Sequence, residues 1–226
     1  MSHFKINKKS NKSSARSAVL HTLHGSIKTP FFMPVATQGT IKQVSTEEMR
    51  KLKSQILLSN TYHLMLRPGE KHIKKIGGLH EFMNWRAPIL TDSGWFQVFS
   101  LAENRNNKGE SLVKIREDGV SFRSYIDGRE YCLSPEKAYQ IQKDLGVDIA
   151  VCLDEWIALP AKKEYIENSI EKTTKWAKKT KLYSKKVRGK KPLLFAVVQG
   201  GLEKDLRLKS LHDLVEIGFD GYNIGG

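Results

Sequence analysis

The chain has 226 residues, enough for one good core, and its 39% hydrophobic content is ordinary for a water-soluble protein. A formal charge of +14 favours a polyanionic partner such as nucleic acid over a membrane surface, and no stretch has the length and apolarity of a membrane span. Residues 1–16 lack the apolar core of a signal peptide, and Cys132 and Cys152 with no second pair support neither a disulfide framework nor a four-ligand zinc site, so a cytoplasmic protein is expected.

Residues 1–16, rich in Lys, Ser and Asn, carry no apolar period and predict a flexible basic lead-in to a single folded domain over 17–226. His21 and His24 have a spacing that suits a metal, but no further ligand stands near them in sequence, which favours surface or turn histidines. Pro30 to Gly39 reads as a buried strand between prolines, and Ser45-Thr-Glu-Glu carries the hydroxyl and acids of a helix start. A second short apolar run, Gln55 to Asn60, is followed by Tyr62, His63 and Arg67-Pro-Gly69, and residues 71–76 make a short helical segment stopped by Gly77 and Gly78.

Pro88-Ile-Leu-Thr-Asp-Ser-Gly-Trp-Phe-Gln97 is the most informative stretch, because an apolar run ends abruptly in a carboxylate, a hydroxyl and a glycine. Asp92 at a strand end suits either acid–base chemistry or an Asx-turn in which the carboxylate only accepts backbone N–H groups. Between Leu112 and Leu133 the pattern changes to period two, with Asp118-Gly119 and Asp127-Gly128 as turn signals, predicting an antiparallel insertion. Ser134-Pro135 opens a helix that Gly146 ends, and Asp148 to Glu155 is another buried strand ending in carboxylates, Asp154 and Glu155. Residues 162–190 form a long basic helix whose lysines either hold phosphates or make a solvated face. Leu193 to Gln199 is a strand ending in two glycines, Leu202 to Ile217 a helix, and Tyr222 to Gly226 one more strand.

Six runs therefore end in polar or glycine groups and alternate with helices: Phe31–Thr37, Ile56–Asn60, Ile89–Asp92, Ile149–Asp154, Leu193–Gln199 and Tyr222–Gly226. Parallel strands with chemistry at their C-terminal ends predict an α/β fold of (β/α) barrel type, which in full has eight strands and ~250 residues. No G-x-G-x-x-G or G-x-x-x-x-G-K follows a strand, which disfavours a doubly wound nucleotide fold.

Met33-Pro-Val-Ala-Thr-Gln-Gly-Thr-Ile-Lys42, Ser59-Asn-Thr-Tyr-His-Leu64, Thr91-Asp-Ser-Gly94 with Phe96-Gln-Val-Phe-Ser-Leu101, Asp118-Gly-Val-Ser-Phe122, Cys152-Leu-Asp-Glu155, Val198-Gln-Gly-Gly201 and Ile224-Gly-Gly226 occur in an order that resembles the N-terminal two-thirds of the tRNA-guanine transglycosylases, or queuine tRNA-ribosyltransferases. The resemblance implies a partial (β/α)8 TIM barrel with a hairpin insertion and its last strands missing. The implied activity exchanges guanine for queuine or a 7-deazaguanine precursor at the tRNA wobble position, in queuosine biosynthesis. Asp92 then resembles the general acid/base, Ser93, Gly94, Trp95 and Phe96 line the base pocket, Asp154 reads the guanine edge, and Gln199 and Gly226 add base contacts. Trp95 stands where the family usually has glycine, and predicts an indole filling the pocket. The family's aspartate nucleophile and its zinc site of three cysteines and a histidine are expected after residue 226, so no metal is expected in this chain. The implied partners are tRNA, a guanine or 7-deazaguanine base and a second polypeptide supplying the missing strands; the alternative is an inactive remnant or non-catalytic tRNA-binding protein.

Overall fold

A computed structural model describes residues 3–102 and 113–225. An antiparallel sheet of β1 (Phe4–Lys9), β2 (Arg16–Thr22) and β3 (Gly25–Lys28) leads into α1 (Thr46–Lys51), β4 (Leu57–Ser59), α2 (Thr61–Leu66), α3 (Glu70–Lys75), α4 (Leu79–Met83), β5 (Ile89–Thr91) and α5 (Trp95–Ala102). The antiparallel insertion is β6 (Val113–Arg116), β7 (Gly119–Arg123) and β8 (Glu130–Leu133). The chain then alternates regularly through α6 (Pro135–Leu145), β9 (Ile149–Val151), α7 (Lys163–Lys186), β10 (Leu193–Val198), α8 (Lys204–Ile217) and β11 (Gly221–Ile224).

Five of these strands form one parallel sheet in the order β11-β10-β9-β5-β4, so strands consecutive along the chain lie side by side once the insertion is set aside. Among the described residues the strand order shows no reversal of the kind that marks a doubly wound nucleotide fold. Period-two alternation divides the strands between two cores. Leu57, Ile89, Ala150, Leu194, Ala196 and Val198 pack with helical residues such as Tyr139, Ile141 and Trp176, while Leu90, Ile149, Val151, Leu193 and Val197 pack with Leu20 and Ile27 of the N-terminal sheet.

Local chemistry explains the element ends. Ser45 and Glu48 form a reciprocal capping box at α1, Ser134 caps α6 ahead of Pro135, and Gly146 ends α6 in the left-handed region at φ 74°. At the N-terminal end of the sheet Asp148 is fully buried, and its Oδ1 and Oδ2 accept the His24 and Ile89 amides at 2.8 and 2.9 Å. One carboxylate thereby ties the β2–β3 turn to the starts of β5 and β9.

Two expectations need correction. The lead-in over residues 1–16 contains a strand, since β1 pairs antiparallel with β2 from Phe4–Leu20 to Lys9–Arg16. Its side chains are exposed and carry no apolar period; β2, with Ala18 and Leu20 buried, supplies the template, and backbone bonds are sufficient to extend it. The strand expected over Phe31–Thr37 is reduced to a parallel bridge between Val35 and Leu58. Pro30 and Pro34 have no N–H to offer a ladder, so the backbone bonds to the β4 stretch are limited to Ala36 N–H to Leu58, Leu58 N–H to Pro34 and Asn60 N–H to Thr37 among the described residues.

Candidate active site

Asp92 follows β5, Asp154 follows β9 and Gln199 follows β10, so adjacent parallel strands deliver all three to the same end of the sheet. They open onto one cleft of about 240 Å³, lined also by Met33, Ser93, Gly94, Trp95, Phe96, Trp156 and Gly225. The last expected site residue, Gly226, lies outside the described residues.

The Asp92 carboxylate sits against the start of α2. Its Oδ1 accepts the Gly94 and Thr61 amides at 3.0 and 3.2 Å, and its Oδ2 accepts Asn60 Nδ2. The Asx-turn expected as the plainer reading is therefore present, and it coexists with a place in the cleft. Asn60 is held in turn as the cap of α2, where its Oδ1 accepts the His63 amide at 3.1 Å. Gly94 has φ 82°, and a Cβ there would stand 3.0 Å from the Tyr62 amide nitrogen, so only glycine lets the turn press so close to α2. Burial pushes the Asp92 carboxyl up to about 6, against the opposing pull of its three hydrogen-bond donors.

Asp154 is buried, with Oδ1 accepting the Ser93 hydroxyl at 2.9 Å and Oδ2 accepting Gln199 Nε2 at 2.7 Å. Burial raises its carboxyl as well, while Gln199 and Ser93 act to lower it. With Nε2 committed to Asp154, Gln199 Oε1 is left buried without a donor. Such an acceptor is costly to leave empty and suits a ligand N–H. Glu155 does not share the cleft: it turns under α7, where its Oε2 lies 3.0 Å from Lys172 Nζ.

Trp95 is among the cleft residues, yet its indole does not fill the opening. Its indole is 1% exposed, packs edge-on against Trp176 at 6.0 Å between ring centroids, and directs Nε1 to the Trp156 carbonyl at 3.4 Å. The ring is absorbed by the core beneath α7 and the cleft stays open. The aromatic surface that does reach the mouth comes from Phe96, which is exposed, and Trp156, arranged edge to face at 5.3 Å.

Several supporting groups carried no sequence signal. Arg207 of α8 donates Nε to the Gly201 carbonyl at 2.7 Å and Nη2 to the Gly225 carbonyl at 2.9 Å, joining the loops after β10 and β11. Ser210 accepts the Gln199 amide at 3.2 Å. Both lie on a helix whose sequence shows only an ordinary mixed face. His63 lies outside the cleft lining, and burial lowers its pKa.

Comparison with known proteins matches the geometry to a family, since the sequence model described as queuine tRNA-ribosyltransferase covers residues 10–226. The chain belongs to the queuine tRNA-ribosyltransferase family. It is 50% identical over 223 residues to a queuine tRNA-ribosyltransferase of Acetivibrio thermocellus, an alignment covering 99% of this chain and 57% of that protein. The corresponding protein of Thermoanaerobacter sp. strain X514 gives the same identity and coverage, and one from Staphylococcus aureus strain RF122 is 51% identical over 215 residues, 95% of this chain and 54% of that protein. The chain thus spans a little over half the length of these queuine tRNA-ribosyltransferases. The zinc site expected of the family needs three cysteines; this chain has exposed Cys132 and buried Cys152, which do not fit it. No helix among the described residues is long and apolar enough to cross a membrane.

Proposed function

We propose that the cleft holds the guanine or 7-deazaguanine base exchanged at the tRNA wobble position, with Asp154 reading the base and Asp92 moving its proton. The observation that carries this reading is the pair of cleft carboxylates with raised pKa, each held by donors on both oxygens. Each Asp154 oxygen keeps a lone pair beyond its protein donor. A guanine edge offers N1–H and an amino group to those positions, and hydrogen bonds to a charged group contribute ~1.5–3 kcal/mol each. Gln199 Oε1 takes a further ligand N–H, and Phe96 with Trp156 offers the flat base an aromatic rim.

Asp92, at about 6, is suited to exchange a proton near neutral pH, an effect of ~10²- to 10⁴-fold in rate. The parallel sheet with its chemistry at the C-terminal strand ends supports an open part of a (β/α)8 barrel. Among the described residues strand β11 pairs with β10 alone, and Ile224 is 79% exposed, which supports further strands joining that edge, from a longer chain or a second polypeptide. The nucleophile and the other anticodon-holding groups belong with those strands in this proposal, and the +14 charge supports tRNA as the polyanion in a cytoplasmic setting.

Base binding is accordingly the direct test. Calorimetric titration of a 7-deazaguanine should show binding to the parent and a loss of roughly 100-fold or more in Asp154→Ala, the equivalent of two charged hydrogen bonds. Equal affinities would overturn the assignment of Asp154. Binding of tRNA with no base binding in either protein would instead favour a non-catalytic tRNA-binding role.

A further inference from the structure

The end of the sheet opposite the cleft gathers a second set of chemistry-bearing residues from three distant parts of the chain. His24 stands in the β2–β3 turn, His80 in α4 and Asp148 immediately before β9. His24 Nδ1 lies 3.0 Å from Asp148 Oδ1, His80 Nε2 lies 3.2 Å from Asp148 Oδ2, and the two imidazoles stack with centroids 3.7 Å apart. One nitrogen from each histidine and an oxygen of Asp148 all lie within 4.8 Å of one another.

Two features go beyond a satisfied buried aspartate. Each Asp148 oxygen accepts one backbone amide, from His24 or Ile89; Oδ1 is also hydrogen-bonded to His24 Nδ1 at 3.0 Å, while Oδ2 faces His80 Nε2. His80 is 6% exposed, and its buried Nε2 meets Asp148 Oδ2 at 3.2 Å as an ion-pair contact without a completed hydrogen bond. An imidazole nitrogen aimed at a carboxylate but not bonded to it suits a ligand atom whose partner is a cation.

We propose that His24, His80 and Asp148 form a binding site for a divalent transition-metal ion of the zinc class, clamping the β2–β3 turn onto the N-terminal end of the parallel sheet. Two imidazoles and one carboxylate are the donor set of such an ion; magnesium and calcium take oxygen ligands instead. Zinc–nitrogen and zinc–oxygen bonds of ~2.0–2.2 Å place any two ligands of one ion no more than about 4.4 Å apart, so the present arrangement needs only small side-chain adjustments. The partly exposed His24 ring provides them and leaves the remaining coordination positions to water. Being at the opposite end from Asp92 and Asp154, the ion has a structural task and takes no part in cleft chemistry.

The test is calorimetric titration of Zn²⁺ into the full chain carrying Cys132→Ser, which removes an exposed thiol that would compete. The expected result is one ion per chain, a rise in melting temperature on its addition, and no comparable response to Mg²⁺. His24→Gln keeps the backbone amide on Asp148, and it should weaken binding at least 10-fold and abolish the melting shift; His21→Gln, in the same hairpin, should change neither. His80→Gln should behave as His24→Gln does, and if it fails to fold, His24→Gln still decides. Failure of the Cys132→Ser protein to bind Zn²⁺, or unchanged binding in His24→Gln, would overturn the proposal.

Discussion

The two ends of the parallel sheet use buried carboxylates in opposite ways. At the N-terminal end, burial pushes the Asp148 carboxyl up, but His80, the Ile89 amide and His24 outweigh burial and hold it below its ordinary value. At the C-terminal end burial wins, and both Asp92 and Asp154 are raised. Asp148 is enclosed by groups from three distant parts of its own chain, whereas Asp154 has one donor on each oxygen and borders open space in the cleft. A carboxylate enclosed by distant segments, with or without an ion among them, ties the fold together; one that borders a cleft is available to a substrate.

The hardest test of that contrast is Asp148→Ala. Removing the side chain leaves the His24 and Ile89 amides and His24 Nδ1 without their partner, at about 1–3 kcal/mol for each group, so a loss of roughly 3 to 9 kcal/mol is expected. Urea unfolding, with a chelator present so that no bound ion contributes, measures it. A loss under about 1 kcal/mol would show that water replaces the carboxylate and that this end is no more fixed than the cleft.

Next in size is Trp95→Gly. Had the indole filled the cleft, removing it would open a binding site at little cost. Instead the ring packs against Trp176 in the helical core, and large-to-small changes of this kind cost ~3–5 kcal/mol. The expected outcome is a lower unfolding midpoint with no gain in 7-deazaguanine affinity. Tighter binding without destabilisation would put the indole back in the pocket.

Trp95 also shows where reading the sequence stops. Short apolar runs ending in polar or glycine groups point to the parallel strands and the residues at their mouths, and period two with turn signals points to the insertion, because these patterns are local. Whether a side chain at a strand mouth points into the cleft or beneath the next helix depends on the turn, here on Gly94 at φ 82° pressed against α2. The strand β1 has a weak sequence signal for a related reason: its ladder with β2 is made of backbone, and all its side chains are exposed. His24, His80 and Asp148 are brought together only by folding, so their grouping has no sequence signature, and neither has the support that Arg207 gives the glycine loops.

The opposed pKa shifts give a third test at about 2 to 3 kcal/mol. The folded chain keeps the Asp92 proton up to about 6, while its ordinary value is 3.8, so across that window the folded state binds more protons than the unfolded one. Stability from this group is present below about pH 4 and is lost as pH rises towards 6 and above. Asp92→Asn should flatten that fall. Absolute stability changes as well, because an amide at this position meets the Asn60 amide donor to donor, so the slope of stability against pH is the quantity to compare. Parallel curves for the two proteins would mean that Asp92 is solvated like a surface carboxylate.

The smallest expected effect is that of Ser93→Ala, about 1 kcal/mol, and it bears on how few partners tune the cleft. Ser93 Oγ donates to Asp154 Oδ1 at 2.9 Å and accepts the Trp95 amide at 3.3 Å. Without it, Gln199 becomes the one remaining side-chain donor named for Asp154, and the charged form loses support in a buried site. The Asp154 carboxyl should therefore titrate higher than in the parent when followed by carbon-detected NMR, and base affinity should fall at pH values where the proton is newly retained. An unchanged titration midpoint would mean that water enters and replaces the hydroxyl. In that event the cleft carboxylate is buffered by solvent, and the number of protein donors ceases to explain why it differs from Asp148.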